Sequence, residues 1–234
     1  MLKKILENFL DYFVILVHNK KILKKINIKK FNTIIDVGAH KLELFNSLKK
    51  FNYEFVSYIA FEPEKNLFER LKLKYGVEEN IELHNLAIGN VNKVEKLSVN
   101  TFSTTNTFLE INPDLLKNKI KNFLSKLFKN SLNQTQHIEV EKLDNFINKI
   151  DKPVSILKID TEGYEKEVIE GAKNFILKYT PEYLIIEIQK ENNYKNYNPK
   201  DIEKLIYEIG YKKFFEQVGP FNLFKDCIYI LSYE

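Results

Sequence analysis

The spacing of apolar residues along the chain distinguishes predicted helices from predicted strands. Residues 1–30 carry apolar side chains at helical spacing, followed by a lysine-rich run that ends at Lys30. This spacing predicts an amphipathic helix. The apolar positions are Leu2, Ile5, Leu6, Phe9, Leu10, Phe13 and Val17. We therefore expect an N-terminal helical extension over residues 1–30 and a domain over residues 31–234.

From residue 31 onwards, strand-like runs alternate with helical patterns, which predicts an open, doubly wound α/β sheet. Helices are expected after residue 37, from Pro63, over 168–176 and over 202–209, and Asn112-Pro113 opens another within an insertion around 108–130. The last two strands are joined too closely for a helical crossover, so they should form an antiparallel pair. The predicted strands cover residues 33–37, 55–61, 81–88, 94–99, 137–140, 154–159, 183–188, 212–215 and 227–231.

Composition narrows the class of protein. Hydrophobic residues make up 44% of the chain and aromatic residues 13%, which excludes a disordered protein. The chain has seven glycines and no phosphate-binding loop motif, which excludes a phosphate-loop nucleotidase. The net charge is +4, but Arg70 is the only arginine among 36 basic residues. Arginine is the side chain that best binds guanine and phosphate through two hydrogen bonds. Because it is nearly absent, we do not expect a nucleic-acid partner.

The lone cysteine and the N-terminus bear on the location of the protein. Cys227 has no second cysteine with which to form a disulfide or a zinc site, and this composition suits a reducing cytoplasm.

The apolar stretch 9–17 is too short to span a bilayer, and no cleavage site follows it. Three roles stay open for the N-terminal helix: packing on the domain, forming a homodimer, or lying on an anionic membrane surface.

Ligands in such a sheet bind where the parallel strands end. The first strand ends in Asp36-Val37-Gly38-Ala39-His40, where Gly38 permits a tight turn. Glu62 ends the second strand, 26 residues after Asp36, and an acid there can accept both hydroxyls of a ribose. A glutamate that caps the following helix is the alternative interpretation of Glu62.

The strongest cluster of charged residues follows the apolar strand 154–159. Lys158 and Asp160 lie on the same side of the strand, and Glu162 follows at the turn. Glu187, near the end of the next apolar strand, should reach the same rim, which is the edge of the sheet where the parallel strands end. Three carboxylates and an ammonium group so placed would perturb each other's pKa values, which indicates a functional site. The alternative is a structural ion pair with acidic residues at a helix start.

These residues give the chain a resemblance to FkbM-type methyltransferases. The matching segments run in the family's order from residue 33 to residue 188, and the most specific is Lys158-Ile159-Asp160-Thr161-Glu162-Gly163-x-Glu165. The other segments are Asp36-Val37-Gly38-Ala39, Phe61-Glu62-Pro63, Ala87-Ile88-Gly89, Leu143-Asp144, Gly171-Ala172 and Ile186-Glu187.

The resemblance implies a mostly parallel, seven-stranded, Rossmann-like sheet with an antiparallel last strand, and an S-adenosylmethionine-dependent enzyme. Members of the family are mostly O-methyltransferases that act on sugars of glycans or on secondary metabolites. The resemblance places the cofactor on Asp36, Gly38, Ala39, His40, Glu62, and the turn from Asn85 to Ala87. It places Asp160 and Glu162 where the methyl donor and the acceptor meet. Lys158 and Glu187, which the strand ends place beside them, complete the expected catalytic group.

Two roles of the carboxylates stay open. An alcohol acceptor can need a base, for which Asp160, Glu162 and His137 are candidates. The same carboxylates could instead bind Mg²⁺, which prefers oxygen ligands.

The chain departs from the family pattern after Ala39. His40 replaces the usual asparagine, and Leu42 replaces a glycine that lets the helix start approach the cofactor. This departure motivates a second hypothesis, a non-catalytic cofactor-binding or scaffold protein on the same fold. A nicotinamide-dependent dehydrogenase is disfavoured because the G-x-G-x-x-G motif is missing. We further expect the insertion around 108–130 to cover the acceptor pocket and select the substrate.

Overall fold

The computed structural model describes residues 18–99, 107, 109, 134–191, 193–219 and 224–232. Within this part of the chain, helices and strands alternate as the hydrophobic pattern predicts. The helices are α1 (Lys20–Lys25), α2 (Glu43–Lys50), α3 (Lys65–Tyr75), α4 (Glu165–Gly171), α5 (Lys173–Tyr179) and α6 (Pro199–Glu208), with a 3-10 helix at Leu143–Phe146. The strands are β1 (Lys30–Val37), β2 (Glu54–Phe61), β3 (Ile81–His84), β4 (Ala87–Ile88), β5 (Lys93–Val99), β6 (Gln134–Glu141), β7 (Val154–Ile159), β8 (Tyr183–Gln189), β9 (Tyr211–Val218) and β10 (Phe224–Leu231).

Seven strands form the main sheet, in the order β3-β2-β1-β7-β8-β10-β9. The pairs from β3 to β8 are parallel, whereas β10 runs antiparallel to both β8 and β9. This confirms the predicted mostly parallel sheet with an antiparallel last strand. The strand order reverses between β1 and β7, so the ends of these two strands form the switch point where ligands bind in open α/β sheets.

A second, three-stranded sheet of order β4-β6-β5 was not predicted from the sequence. The expected single strand 81–88 is divided, because the main-sheet strand ends at His84 and β4 pairs with β6 instead. The predicted strands 94–99 and 137–140 also belong to this smaller sheet, as the antiparallel pair β5 and β6. The expected helix 168–176 is likewise two helices, which meet at Ala172.

Apolar side chains bury both faces of the main sheet, because alternate residues of a strand point to opposite faces. On one face Ile34, Tyr58, Ile156, Ile185 and Ile228 pack among residues of α1, α2 and α3. On the other face the neighbouring positions of the same strands pack among residues of α4, α5, α6 and the 3-10 helix. The helices therefore lie on both sides of the sheet, as a doubly wound fold requires.

The end of the N-terminal segment packs on the domain. Ile22, Leu23 and Ile26 are buried in the same apolar cluster as α2, while the lysines of α1 are exposed. No helix in the described ranges is long and apolar enough to span a membrane. The predicted helix over residues 2–17 lies outside the described residues, and so does the insertion helix around 108–130, of which only Leu109 is described. The boundary at residue 30 between an extension and a domain stays a prediction.

Candidate active site

Gly38 joins the ends of three neighbouring strands. The backbone N–H groups of Gly38 and Ala39 both donate to the carbonyl oxygen of Phe61 at 3.0 Å, and Asp160 N donates to Val37 O at 3.0 Å. Gly38 has a φ of +77°, and a Cβ atom there would lie 1.9 Å from the carbonyl oxygen of Asp160. Only glycine fits this contact, which brings the turn after β1 against the end of β7.

Glu62 has a buried carboxylate whose two oxygens each accept one backbone hydrogen bond. His40 N donates to Oε2 at 2.9 Å, and Glu64 N donates to Oε1 at 2.8 Å. The side-chain amide of Asn85 donates to the carbonyl oxygens of Glu62 and Pro63, at 3.0 Å each. Burial raises the pKa of Glu62 to about 7, against an ordinary value of 4.5. Asn85 thus fixes the backbone at Glu62, whereas the Ala87 side chain packs inside the small sheet.

The turn that leads into α2 keeps a glycine-like backbone despite its leucine. His40 and Leu42 have φ values of +46° and +60°, in the left-handed region that favours glycine. The Leu42 side chain is fully buried in the apolar cluster beneath α2. The departure from the family pattern therefore leaves the bend in place and directs the side chain into the core.

His40 pairs with the first residue of α2. Its Nδ1 lies 2.5 Å from Glu43 Oε1, and Lys41 N donates to Glu43 Oε2 at 3.0 Å. Burial alone would lower the pKa of His40, but the Glu43 carboxylate outweighs it and raises that pKa. The pairing fixes the imidazole directly beside the backbone N–H that binds Glu62.

Lys158 bridges two carboxylates at the centre of the rim. Its Nζ lies 3.2 Å from Asp36 Oδ1 and 3.1 Å from Asp160 Oδ2. Tyr58 donates its hydroxyl to the other oxygen of Asp36, whose side chain is fully buried. Burial raises the pKa of Asp36, and the Lys158 charge only partly offsets this. Burial would lower the pKa of Lys158, but Asp160 and Asp36 outweigh it and raise that pKa.

Glu162 lies in a tight turn just beyond β7. Its φ is +51° and that of Gly163 is +104°, and a Cβ atom on Gly163 would lie 2.7 Å from the Tyr194 ring. Tyr194 donates its hydroxyl to Glu162 Oε2 at 2.7 Å. Gln189 Nε2 lies 3.3 Å from Glu162 Oε2 and 2.5 Å from Glu187 Oε1. Gln189 therefore joins the carboxylates of Glu162 and Glu187, which the sequence places 25 residues apart.

The structure thus brings the candidate residues together in two adjoining groups. Gly38, Ala39, His40, Glu62 and Asn85 surround the turn after β1, and Lys158 links Asp36 to Asp160. Glu162 and Glu187 meet through Gln189 farther along the rim. Contacts of these residues with a cofactor or an acceptor stay predictions. His137, the third candidate base, is exposed on β6 of the small sheet.

Several residues of the site were missed by sequence reasoning. Tyr58, Glu43, Gln189 and Tyr194 bind Asp36, His40 and the two rim glutamates. Tyr194 belongs to no strand or helix pattern, and no spacing signal marks it. Gln189 follows Glu187 by two residues in β8, so strand alternation could have identified it.

A second buried polar contact lies on the same face of the sheet. His18 Nδ1 is 3.0 Å from Asp226 Oδ2 and 3.0 Å from Gln217 Nε2. Asp226 is the register partner of Glu187, so this pair joins the N-terminal segment to the end of the sheet that carries the site. The described residues include no group of three or more histidine, cysteine, aspartate or glutamate side chains arranged to hold a metal ion.

Comparisons with known proteins agree with this architecture. The family profile of the Methyltransferase FkbM domain matches residues 36–213. The structure of methyltransferase FkbM from Methylobacillus flagellatus KT is similar, with a TM-score of 0.54 and 17% sequence identity over 86% of this chain. The chain spans 44% of that protein's length. Sp1610 of Streptococcus pneumoniae, described as a candidate tRNA (m1A22) methyltransferase, has a TM-score of 0.50 and 12% identity, with 94% of this chain and 72% of that one covered.

No curated protein sequence gives a significant match. At these identities the two solved structures support the fold alone, and the profile match carries the assignment because it covers most of the chain, including the rim from Asp36 to Glu187. The chain belongs to the FkbM methyltransferase domain family.

Proposed function

We propose that the protein is an S-adenosylmethionine-dependent O-methyltransferase that methylates a hydroxyl group of a sugar in the cytoplasm. One observation carries this proposal. The close contact between Gly38 and Asp160 O places the turn expected to hold the cofactor against the strand end that carries the candidate base. A methyl donor at the first and an acceptor at the second would be neighbours.

The residues after β1 and β2 fit the cofactor. A carboxylate offers about four acceptor positions, and the two backbone N–H groups on Glu62 use only two of them. The remaining positions match the two hydroxyls of a ribose. Gly38 lets this turn lie directly against the carbonyl oxygen of Asp160, where any side chain would collide, and so keeps the expected cofactor turn beside Asp160.

The bound cofactor would supply an activated methyl group on a sulfonium, so the protein mainly has to align the acceptor and remove a proton. Asp160 is the base that we propose, because its side chain is 31% exposed and Lys158 holds one of its oxygens. In this mechanism the Asp160 carboxylate accepts the proton of the acceptor hydroxyl as the oxygen attacks. Asp36 holds Lys158 in place, and Lys158 in turn orients the carboxylate of Asp160.

The surroundings of Glu162 support a sugar as acceptor. Glu162 and Glu187 are half-buried and offer carboxylate oxygens, and the buried Gln189 and Tyr194 hold them in place by hydrogen bonds. Two neighbouring carboxylates can accept hydrogen bonds from adjacent hydroxyls of a polyol. A site built in this way also rejects analogues that lack those hydroxyls, because its polar groups would then be left unpaired.

The test is transfer of a labelled methyl group from S-adenosylmethionine to a panel of monosaccharides and nucleoside-diphosphate sugars. We expect the wild type to methylate at least one sugar hydroxyl. Asp160→Asn should reduce kcat by at least a hundredfold, because general bases typically contribute that much, and should leave binding of S-adenosylhomocysteine within about threefold. Binding without transfer to any acceptor would instead favour a non-catalytic cofactor-binding protein.

A further inference from the structure

The Glu162 turn is held from outside its own loop by a threonine in the segment between β5 and β6. Thr107 donates its hydroxyl to the carbonyl oxygen of Glu162 at 2.8 Å. The same hydroxyl accepts a hydrogen bond from Leu109 N at 3.0 Å. Thr107 is only 1% exposed, so its hydroxyl makes both contacts away from solvent. The residue is therefore bound to the turn through its side chain.

The backbone of Thr107 is attached to the small sheet. Ser98 N donates to Thr107 O at 3.1 Å, and Thr107 N donates to Ser98 O at 3.3 Å. The Leu109 side chain also packs at Gly163, since a Cβ atom on that glycine would lie 3.1 Å from Leu109 Cδ1. Thr107 thus joins the last residues of β5 to the turn beyond β7, across 55 residues of sequence.

Glu165 supports the opposite side of the same turn. Its Oε1 accepts hydrogen bonds from Thr161 N, Thr161 Oγ1 and Gly163 N, at 3.1, 3.2 and 2.9 Å. Glu165 thus fixes the N–H groups on either side of Glu162, whereas Thr107 fixes its carbonyl group. The left-handed backbone of Glu162 needs such support, because a non-glycine residue in that region is strained by about 1 kcal/mol or more.

We propose that Thr107 is a positioning residue for methyl transfer, which sets the place of the Glu162 carboxylate through its hydrogen bond to the Glu162 carbonyl. This inference rests on the proposed function, in which Glu162 binds the acceptor. Thr107 then acts on the acceptor side of the site. Thr107 makes no described hydrogen bond to Gly38, Glu62 or His40, so its loss leaves the cofactor residues in place.

The test compares Thr107→Val, which removes the hydroxyl, with Thr107→Ser, which keeps it. Thr135→Val is the matched control, because Thr135 is exposed on β6 of the same small sheet. Three quantities are measured on the full chain: amide hydrogen exchange over residues 161–164, affinity for S-adenosylhomocysteine, and kcat with a sugar that the wild type methylates. We expect Thr107→Val to speed exchange in that turn and to lower kcat about tenfold or more, because small displacements of aligning groups reduce rates strongly.

The affinity of Thr107→Val for S-adenosylhomocysteine should stay within about twofold, and Thr107→Ser should restore both exchange and kcat. Exchange or kcat in Thr107→Val equal to that of Thr135→Val would overturn the inference. Failure of the wild type to bind S-adenosylhomocysteine, or to methylate any sugar of the panel, would count against the proposed function instead. The exchange rates of the turn then decide whether Thr107 holds it.

Discussion

The ammonium group of Lys158 lies 3.2 Å from the fully buried carboxylate of Asp36 on the neighbouring strand. The two residues are register partners in the parallel pair of β1 and β7, at the point where the strand order reverses. Lys158 also reaches Asp160, so the base that we propose is held by a charge that is itself fixed from inside the sheet. The candidate active site and the core of the fold thus share one ion-pair network.

Substitution Lys158→Met tests this network. It leaves the Asp36 carboxylate buried without its cation, so we expect the free energy of unfolding to fall by about 3–5 kcal/mol. Lys30→Met is the matched control, because Lys30 and Glu54 pair at the opposite end of β1 and β2 with both side chains 75% exposed. Its effect in urea unfolding should be small, since exposed ion pairs contribute little.

The double variant Asp36→Asn/Lys158→Met distinguishes two causes of lost stability in Lys158→Met: an unpaired buried charge and lost packing. We expect it to recover most of the stability that Lys158→Met loses, because no uncompensated charge then remains at Asp36. A double variant as unstable as Lys158→Met would show that the charge of Asp36 is not what makes Lys158 necessary.

Substitutions at Leu42 test whether its side chain belongs to the core. Leu42→Ala and Leu42→Gly both remove a fully buried side chain, so each should lower the free energy of unfolding, by about 2–5 kcal/mol for the alanine. Because φ is +60°, the glycine variant should be the more stable of the two, by about 1 kcal/mol. Both should bind S-adenosylhomocysteine as the wild type does, as titration calorimetry would show. A gain in affinity on removing the leucine would instead mean that it narrows the pocket.

The pH dependence of stability should report on Glu165. Burial raises its pKa to about 7 from an ordinary value of 4.5. The folded state then binds more protons than the unfolded state between these values, so stability falls as the pH rises from about 4.5 through 7. Glu165→Gln removes this titration while its amide oxygen can still accept from the turn. Between pH 4.5 and pH 8, the free energy of unfolding of the variant should therefore rise relative to that of the wild type by up to about 3 kcal/mol.

Urea unfolding at several pH values measures this difference. Glu62 has the same raised pKa and titrates in both proteins, so its contribution cancels. A constant difference between wild type and variant across the pH range would show that Glu165 does not bind a proton on folding.

The main sheet could be predicted from the sequence because its central strands are almost continuously apolar. Runs such as 154–159 and 183–188 are typical of strands buried on both faces. The small sheet could not be predicted in the same way. It uses a two-residue strand and a parallel pairing of Ala87 with Val140, and no local pattern encodes a contact over that distance.

The charged part of the site was predictable where polar residues end apolar strands. Lys158, Asp160 and Glu187 stand out because ionisable side chains rarely follow such runs without partners. The residues that orient them do not stand out in this way. Tyr194 and Thr107 lie outside the predicted strands and helices, so only the folded chain shows that both bind Glu162.

Titration calorimetry with S-adenosylhomocysteine tests the central claim most directly, because it needs no knowledge of the acceptor. We expect the wild type to bind, with an affinity that rises with pH through about 7 as Glu62 loses its proton. Glu62→Gln should bind at least about tenfold more weakly, because hydrogen bonds to a charged group are lost, and should lose this rise with pH. The exposed Glu54 serves as control, and Glu54→Gln should match the wild type. Absence of binding by the wild type, or equal binding by Glu62→Gln at every pH, would contradict the account.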